Sequence, residues 1–468
     1  MSSRVAVESR TYGDRTTALK VNSRTIVLTM QRHAARSNRP TAVDLFAGAG
    51  GLSLGLEQAG FDVVGAVEYD PIHMATHEYN FPGAAHMCAS VSDISGVDIL
   101  TQTGCDRGEV DLMAGGPPCQ GFSMIGKRAL EDSRNRLVFD FCRLVGEVRP
   151  RYFIMENVPG MKVGEHAGLL HEIVRLLSED LGYKCRPVDL LTATNFGVPQ
   201  VRTRLFLVGA RDDQDLPDPP RTTTKFLKSR GKERWEGPSE LPPCPTVWDA
   251  LGDLPNADDF DDLLDSDVVR ATFGKPSSYA RRMRGLARDT DDYSFRRPKS
   301  RYSVLTSSTR TVHNELSISR FTETAPGEVE EISRFLRLSP QGYSNTLRAG
   351  TDSKRGAHTS PRPIHPVHPR VITVREAARL HSFPDWFRLH VTKWHGFRQV
   401  GNAVAPLVGR AVGRTIIEAL GINPTVPDLV RATGSEELLR MTMGEAAEHY
   451  NVSRDVVGSR DRKPKASA

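Results

Sequence analysis

The sequence predicts an α/β fold organised around a doubly wound sheet. Apolar runs of strand length alternate with helically spaced segments over residues 41–211. A glycine-rich turn joins the first such strand to the first helix. Acidic residues close successive runs, so they fall together at the carboxyl edge of the sheet, where open α/β sheets bind ligands. Around this body the reading puts a polar, net basic arm over residues 1–40 and a smaller irregular domain over 212–398. Residues 399–423 return to complete the first domain, and 424–468 form a helical tail.

Taken in order, Ala42-Val43-Asp44-Leu45-Phe46 is a short apolar strand. It passes into Ala47-Gly48-Ala49-Gly50-Gly51 and then into residues 52–59, whose leucines have helical spacing. Glycines let a ligand approach the backbone closely. Asp44 and the Gly48-x-Gly50 turn suit the amino-acid end of S-adenosylmethionine as well as they suit a phosphate; a plain tight turn is the competing reading. Ala66-Val67-Glu68-Tyr69-Asp70 ends the next strand, about twenty residues on, where an acid grips ribose hydroxyls in such folds. Ser92-Asp93-Ile94 is expected to end a third strand, offering a carboxylate and an apolar surface to an adenine.

Residues 110–114 form a further buried strand that stops at Gly115-Gly116-Pro117-Pro118-Cys119. The prolines fix φ and remove donors, so Cys119 is held on a stiff turn at the sheet edge. It is read as a nucleophile, with a buried thiol beside a tight loop as the alternative. Tyr152-Phe153-Ile154-Met155 is the next strand and delivers Glu156 to the same edge. Arg202 and Arg204 alternate with Val201 and Thr203, so period two puts both on one face. These residue types suit chemistry at cytosine carbon 5, a poor nucleophile. A thiolate adding to carbon 6 activates carbon 5, and a carboxyl at nitrogen 3 takes up the developing charge.

The blocks DLFAGAGGLSLGLEQAGF, VEYD, GGPPCQGFS, DSRNRL, ENV, QVRTR, RVITVREAARLHSFP and GNAVAPL follow one another from Asp44 to Leu407. In kind and order they resemble the cytosine-5 DNA methyltransferases, over most of the chain. Ala405 stands where a second proline is common, and His381 where glutamine is common. The resemblance implies a Rossmann-like methyltransferase domain that uses S-adenosylmethionine and flips its target base out of duplex DNA. It implies Cys119, Glu156, Asn157, Gln200, Arg202 and Arg204 as the catalytic set. The cofactor set is Asp44, Phe46, Gly48, Ala49, Gly50, Gly51, Glu68, Tyr69, Asp93, Ile94, Pro117, Leu137, Asn402 and Ala403. Residues 120–137 would be a mobile loop closing over DNA, with Gln120, Ser123, Lys127 and Arg128 toward the backbone. The region between the QVRTR and RVIT blocks would recognise the target, with Thr346 and Arg348 as its first candidates. The size is that of stand-alone prokaryotic enzymes paired with a restriction endonuclease, acting as monomers in the cytoplasm on nucleoid DNA.

Composition agrees with this reading. The 468 residues carry a formal charge of +5, which permits DNA binding without showing it. No apolar run reaches membrane length. The six cysteines include no C-x-x-C pair, which argues against a disulfide framework and against a structural zinc. His358, His365 and His368 lie among prolines and read as loop residues rather than ligands. Arginine outnumbers lysine, which suits phosphate and guanine contacts. An RNA cytosine methyltransferase would need a smaller recognition region. A non-catalytic DNA-binding regulator would not need Cys119 and Glu156, and a dinucleotide oxidoreductase has no use for Pro-Cys with Glu-Asn-Val. Residues 370–380 read as a helix, and Gly401 to Pro406 as the opening of another that rejoins the first domain. Residues 443–457 have the spacing of a helix-turn-helix or of one helix packed on the body.

Overall fold

The structure is a computed structural model that describes residues 39–118, 136–164, 166–226, 240–298, 303–349 and 362–454. Five parallel strands form its centre: β1 (Thr41–Leu45), β2 (Asp62–Glu68), β3 (Ala85–Cys88), β4 (Leu112–Gly115) and β5 (Tyr152–Asn157). Three antiparallel strands extend it: β6 (Tyr183–Cys185), β7 (Asp189–Thr192) and β8 (Thr203–Arg211). The order is β3-β2-β1-β4-β5-β8, with β6 and β7 sharing the far edge of β8. The strand order switches sides between β1 and β4, which run parallel, and this opens a crevice above their carboxyl ends.

Both faces of this sheet are covered, and the period-two rule sorts its side chains cleanly. On β5, Tyr152 and Ile154 enter one core and Phe153 and Met155 the other; on β8, Phe206 and Val208 oppose Leu205 and Leu207. One face is covered by α3 (Gly96–Thr103), α4 (Arg136–Val148) and α5 (His166–Arg175), through residues such as Ile99, Phe141 and Ile173. The other is covered by α1 (Gly51–Ala59) and by α11 (Pro406–Ala419), which comes from the far end of the chain. Each fully buried Leu, Ile or Phe here contributes about 1.5–3 kcal/mol. The helix α2 (Pro71–Asn80) starts where Asp70 caps it, its carboxylate accepting from the Ile72 and His73 amides.

Between β8 and α11 the chain is irregular. It contains the short helices α6 (Val247–Leu251), α7 (Ser278–Met283), α8 (Glu315–Glu323), α9 (Val374–Leu380) and α10 (Lys393–Asn402), and a two-strand ladder of β9 (Val269–Arg270) with β10 (Val304–Leu305). Its main core gathers Leu251, Tyr279, Leu380, Phe383, Phe387 and Val400 against Leu54 and Phe81 of the sheet half. No helix among the described residues is long and apolar enough to cross a membrane.

Several boundaries differ from expectation. The third strand ends at Cys88, so Ser92, Asp93 and Ile94 lie in the following loop instead of at a strand end. That strand is only four residues long, too short for its period to stand out. The helix expected over 370–380 begins at Val374, because Thr373 and Glu376 form a reciprocal cap; Arg370 stays outside and pairs with Glu376 at 2.7 Å. Gly401 and Asn402 end α10 rather than open a helix, and the next one starts at Pro406, whose missing N–H costs nothing in a first turn. Arg39 belongs to the body and not to an arm: its guanidinium donates to the carbonyls of Glu57, Phe61, Tyr293 and Thr425. In the tail, α12 (Met443–His449) packs on α2 through Tyr450 and His449, which both bond Glu78. A second α-helix, which a helix-turn-helix needs, is absent among the described residues of the tail.

Candidate active site

The crevice holds a cavity of about 460 Å³. Its floor is the turn after β1. There Phe46 takes φ 57°, a left-handed conformation that a bulky residue rarely adopts, and Gly48 takes φ 56°. Gly50, at φ 100°, caps α1, and a Cβ there would run into the Phe81 ring. Glu68, at the end of β2, ties this turn down: its carboxylate accepts from the Gly48 amide and the Asp70 amide, both at 2.9 Å. Burial pushes the Glu68 carboxyl up to about 7.

Asp44 lies beneath the turn. It accepts from the Ser53 hydroxyl at 2.6 Å, and burial raises it to about 7 as well. Ser53 also bonds His77 at 2.9 Å, and His77 meets His86 at 3.2 Å, a polar line running away from the cavity. Asp70, His73 and Arg398 form one wall; Arg398 stands 3.7 Å from Asp70. The outer Asp70 oxygen and the His73 Nε2 are buried without a hydrogen-bond partner.

On the opposite side, β4 leads into Gly116, Pro117 and Pro118, and β5 ends in Glu156 and Asn157. Asn157 donates to the Pro117 carbonyl at 3.1 Å, anchoring the proline turn. A Cβ on Gly116 would come within 2.8 Å of a Glu156 oxygen, so a larger residue there would push that carboxylate from its place. Arg204 pairs with Glu156 at 2.9 Å. Burial pushes the Glu156 carboxyl above its ordinary value, against the pull of Arg204 and Arg202. Arg202 turns instead to backbone, donating to Leu347, Gly401 and Ala403.

Most of the expected site residues meet here. Asp44, Phe46, Gly48, Ala49, Gly51, Glu68, Tyr69, Pro117, Glu156, Asn157, Arg202, Arg204, Asn402 and Ala403 all line the cavity. Gly50 shapes the turn from behind. Gln200 is fully buried behind the wall, bonded to Leu347 and His381. Asp93 is exposed in its loop and Ile94 is packed in the core, so neither belongs to the lining; nor does Leu137, partly buried on α4. Thr346 bonds the Val201 carbonyl at 2.8 Å, and Arg348 is exposed beside Ala349 at the rim. Cys119, Gln120, Ser123, Lys127 and Arg128 lie outside the described residues. Sequence reasoning missed His73, Arg398 and Gln399. The cap at Asp70 places His73 in the first turn of α2, and Arg398 lies one turn before the expected Asn402, so both positions follow from helical spacing.

This cavity, with a carboxylate–arginine pair facing a carboxylate-rich glycine turn, accompanies a match of residues 41–418 to the C-5 cytosine-specific DNA methylases. The chain belongs to that family. It is 49% identical to the Type II methyltransferase M.XorII of Xanthomonas oryzae pv. oryzae, over 91% of this chain and 95% of that protein. It is 32% identical to the Type II methyltransferase M.AgeI of Thalassovita gelatinovora, over 81% of this chain and 99% of that one. A solved structure described as a DNA modification methyltransferase encoded within an E. coli prophage superposes with a TM-score of 0.65 at 34% identity. That likeness covers 82% of this chain and the whole of that one. This cytosine-5 DNA methyltransferase therefore has the Rossmann-like fold of its relatives and is of the Type II restriction-modification kind. No group of three or more metal-ligating side chains occurs among its described residues.

Proposed function

We propose that this DNA methyltransferase modifies carbon 5 of a cytosine flipped out of a specific duplex sequence, through a covalent adduct on Cys119. The observation that carries the reading is the Glu156–Arg204 pair on the cavity wall, beside the Pro117-Pro118 turn that leads directly into Cys119. Glu156, biased toward its protonated form by burial, shares a proton with ring nitrogen 3 as the Cys119 thiolate adds to carbon 6. The electron pair of the carbon 5–carbon 6 bond then makes carbon 5 nucleophilic. Arg204 holds the Glu156 carboxyl in place. Loss of the carbon-5 proton and departure of the Cys119 sulfur later restore the double bond and free the enzyme.

The cavity suits S-adenosylmethionine in volume and in donors. Asp70, His73 and Arg398 give one wall charged and polar side chains. Asp44 and the glycine turn would take the amino-acid end, Glu68 the ribose hydroxyls, and Tyr69, Pro117, Asn402 and Ala403 the remaining surface. When bound, the cofactor supplies the electrophilic methyl group. Residues 212–398 would choose the DNA sequence, with Thr346 and Arg348 as the first candidates and Gln120, Ser123, Lys127 and Arg128 toward phosphates. Residues 41–211 and 399–423 would form the catalytic domain. We assign it the role of modification partner of a restriction endonuclease on the strength of its Type II relatives, acting as a monomer in the cytoplasm.

DNA carrying 5-fluorocytosine tests the mechanism. The wild type should form an adduct stable to denaturation, and Cys119→Ala should bind DNA without adduct or methyl transfer. Methylation by Cys119→Ala at the wild-type rate would overturn the assignment.

A further inference from the structure

We propose that His381 is a positioning residue of the methyl-transfer site, closing a ring of hydrogen bonds that sets the Ala403 wall and the strand carrying Arg204. The inference rests on the cofactor reading above and adds a residue to it.

The ring is closed and crosses four segments of the chain. The Leu347 amide donates to Gln200 Oε1 at 3.1 Å, and the Leu347 carbonyl accepts from Arg202 at 2.8 Å. Arg202 also donates to the Ala403 carbonyl at 3.1 Å. That same carbonyl meets His381 Nε2 at 3.0 Å, and His381 Nδ1 meets Gln200 Nε2 at 2.8 Å. Two backbone groups settle every direction in it. An amide can only donate, so Gln200 must turn its oxygen to Leu347 and its NH2 to His381. A carbonyl can only accept, so the proton of His381 sits on Nε2 and Nδ1 is an acceptor. A second proton on the ring would set donor against donor at Gln200. Burial and the neighbouring Arg202 hold the imidazole well below its ordinary value, in keeping with this.

The ring sits directly behind the cavity. Gln200 and His381 are fully buried, while Arg202 and Ala403 reach the lining. Two residues beyond Arg202, Arg204 meets Glu156, so the register of that strand end is set where the ring holds Arg202. His381 is followed by Ser382 at φ 64°, a reversal whose hydroxyl accepts from the Leu407 amide at the start of α11. The histidine is thus the point at which the recognition region, the arginine strand and the returning helix are fastened to one another. Glutamine, the residue common at this position in the resembling family, offers the same donor toward Ala403 and an acceptor toward Gln200.

The test compares wild type with His381→Gln, His381→Asn and His381→Leu. Calorimetry gives the S-adenosylmethionine dissociation constant, and single-turnover assays at saturating cofactor give the rate. Losing a buried partner at both ends predicts weakening of roughly tenfold for His381→Leu, with a slower single turnover. His381→Gln should recover both to within about twofold of wild type. His381→Asn, which keeps only the acceptor near Nδ1, should bind cofactor more weakly than His381→Gln. A folded His381→Leu protein equal to wild type in both readouts overturns the proposal. If that variant does not fold, equal affinity in His381→Gln and His381→Asn overturns it. A wild type that fails to bind S-adenosylmethionine overturns the cofactor reading itself, and the inference with it.

Discussion

The two halves of this methyltransferase are held together by different physics. The sheet half, from β1 to β8 with α11, is a backbone ladder between two apolar layers. The carboxylates in it that burial raises, Asp44, Glu68 and Glu156, all line the cavity. The region between β8 and α11 has a two-strand ladder and an apolar core that it shares with Leu54 and Phe81 of the sheet half. It is fastened by buried arginines. Arg379 and Asp253 are both fully inaccessible and 3.1 Å apart, with Asp385 as a second partner. Arg388 pairs with Asp267 at 2.9 Å and Arg370 with Glu376 at 2.7 Å. Arg297 reaches back to Glu57 on α1 at 2.9 Å, joining the halves. Where backbone cannot pair with backbone, directional charged side chains supply the specificity of the fold.

The largest effect expected from this contrast is on Arg379. Arg379→Met removes the nearest partner of two buried carboxylates, leaving Asp253 with Arg284 alone and Asp385 with Arg375 alone, and should cost about 3–5 kcal/mol in urea denaturation. A loss under 1 kcal/mol would mean the pairs are incidental, and the contrast between the halves would collapse. In the ligand-facing part of the sheet half, Glu68→Ala should weaken S-adenosylmethionine binding by about 1.5–3 kcal/mol, read by calorimetry. Equal affinities would remove Glu68 from the cofactor set.

Glu68 also predicts a pH dependence. Its folded value of about 7 lies above the ordinary 4.5, so between these values the folded chain keeps a proton that the unfolded chain has lost. The stability it contributes is full below about pH 4.5 and is lost as pH rises through about 7. Thermal melts of the ligand-free protein should therefore show wild type losing ground to Glu68→Gln between about pH 5 and about pH 8. Parallel curves would contradict the raised value. Smaller again, Ile416→Val trims one buried methylene in the apolar layer and should cost about 0.5–1.5 kcal/mol. Ser95→Ala removes the reciprocal cap of α3 and should cost about 1 kcal/mol. Either variant matching Arg379→Met in urea would erase the distinction drawn above.

The same contrast explains what could be read in advance. Strands such as β1, β4 and β5 announce themselves because both their faces are buried and they are mostly apolar, with Asp44, Glu156 and Asn157 standing out at or near the ends that face the site. The glycine turn, Glu68, Glu156 and Arg204 were legible because strand ends and turn chemistry are local. The end of β3 was not, since Ala85-His86-Met87-Cys88 alternates weakly and is short. The arginine fastenings were invisible for another reason: Arg379 and Asp253 are 126 residues apart, and Arg297 and Glu57 are 240 apart. Arg284 and Arg297, inside the region expected to recognise the target, are engaged with Asp253 and Glu57. Charge in a sequence says nothing of its partner when that partner is brought in by tertiary structure.

The seating of α11 on α1 has a consequence for how the protein is made. The two helices touch closely: a Cβ at Gly55 would lie 2.6 Å from the Pro406 carbonyl, and one at Gly413 2.9 Å from the Ala59 Cβ. Chains fold from the amino terminus as they are synthesised. Here the first helix waits for one of the last, so Leu52, Leu56 and Ala59 stay uncovered until translation has passed the recognition region. A chain cut short before Pro406 therefore leaves that apolar face of α1 without its cover.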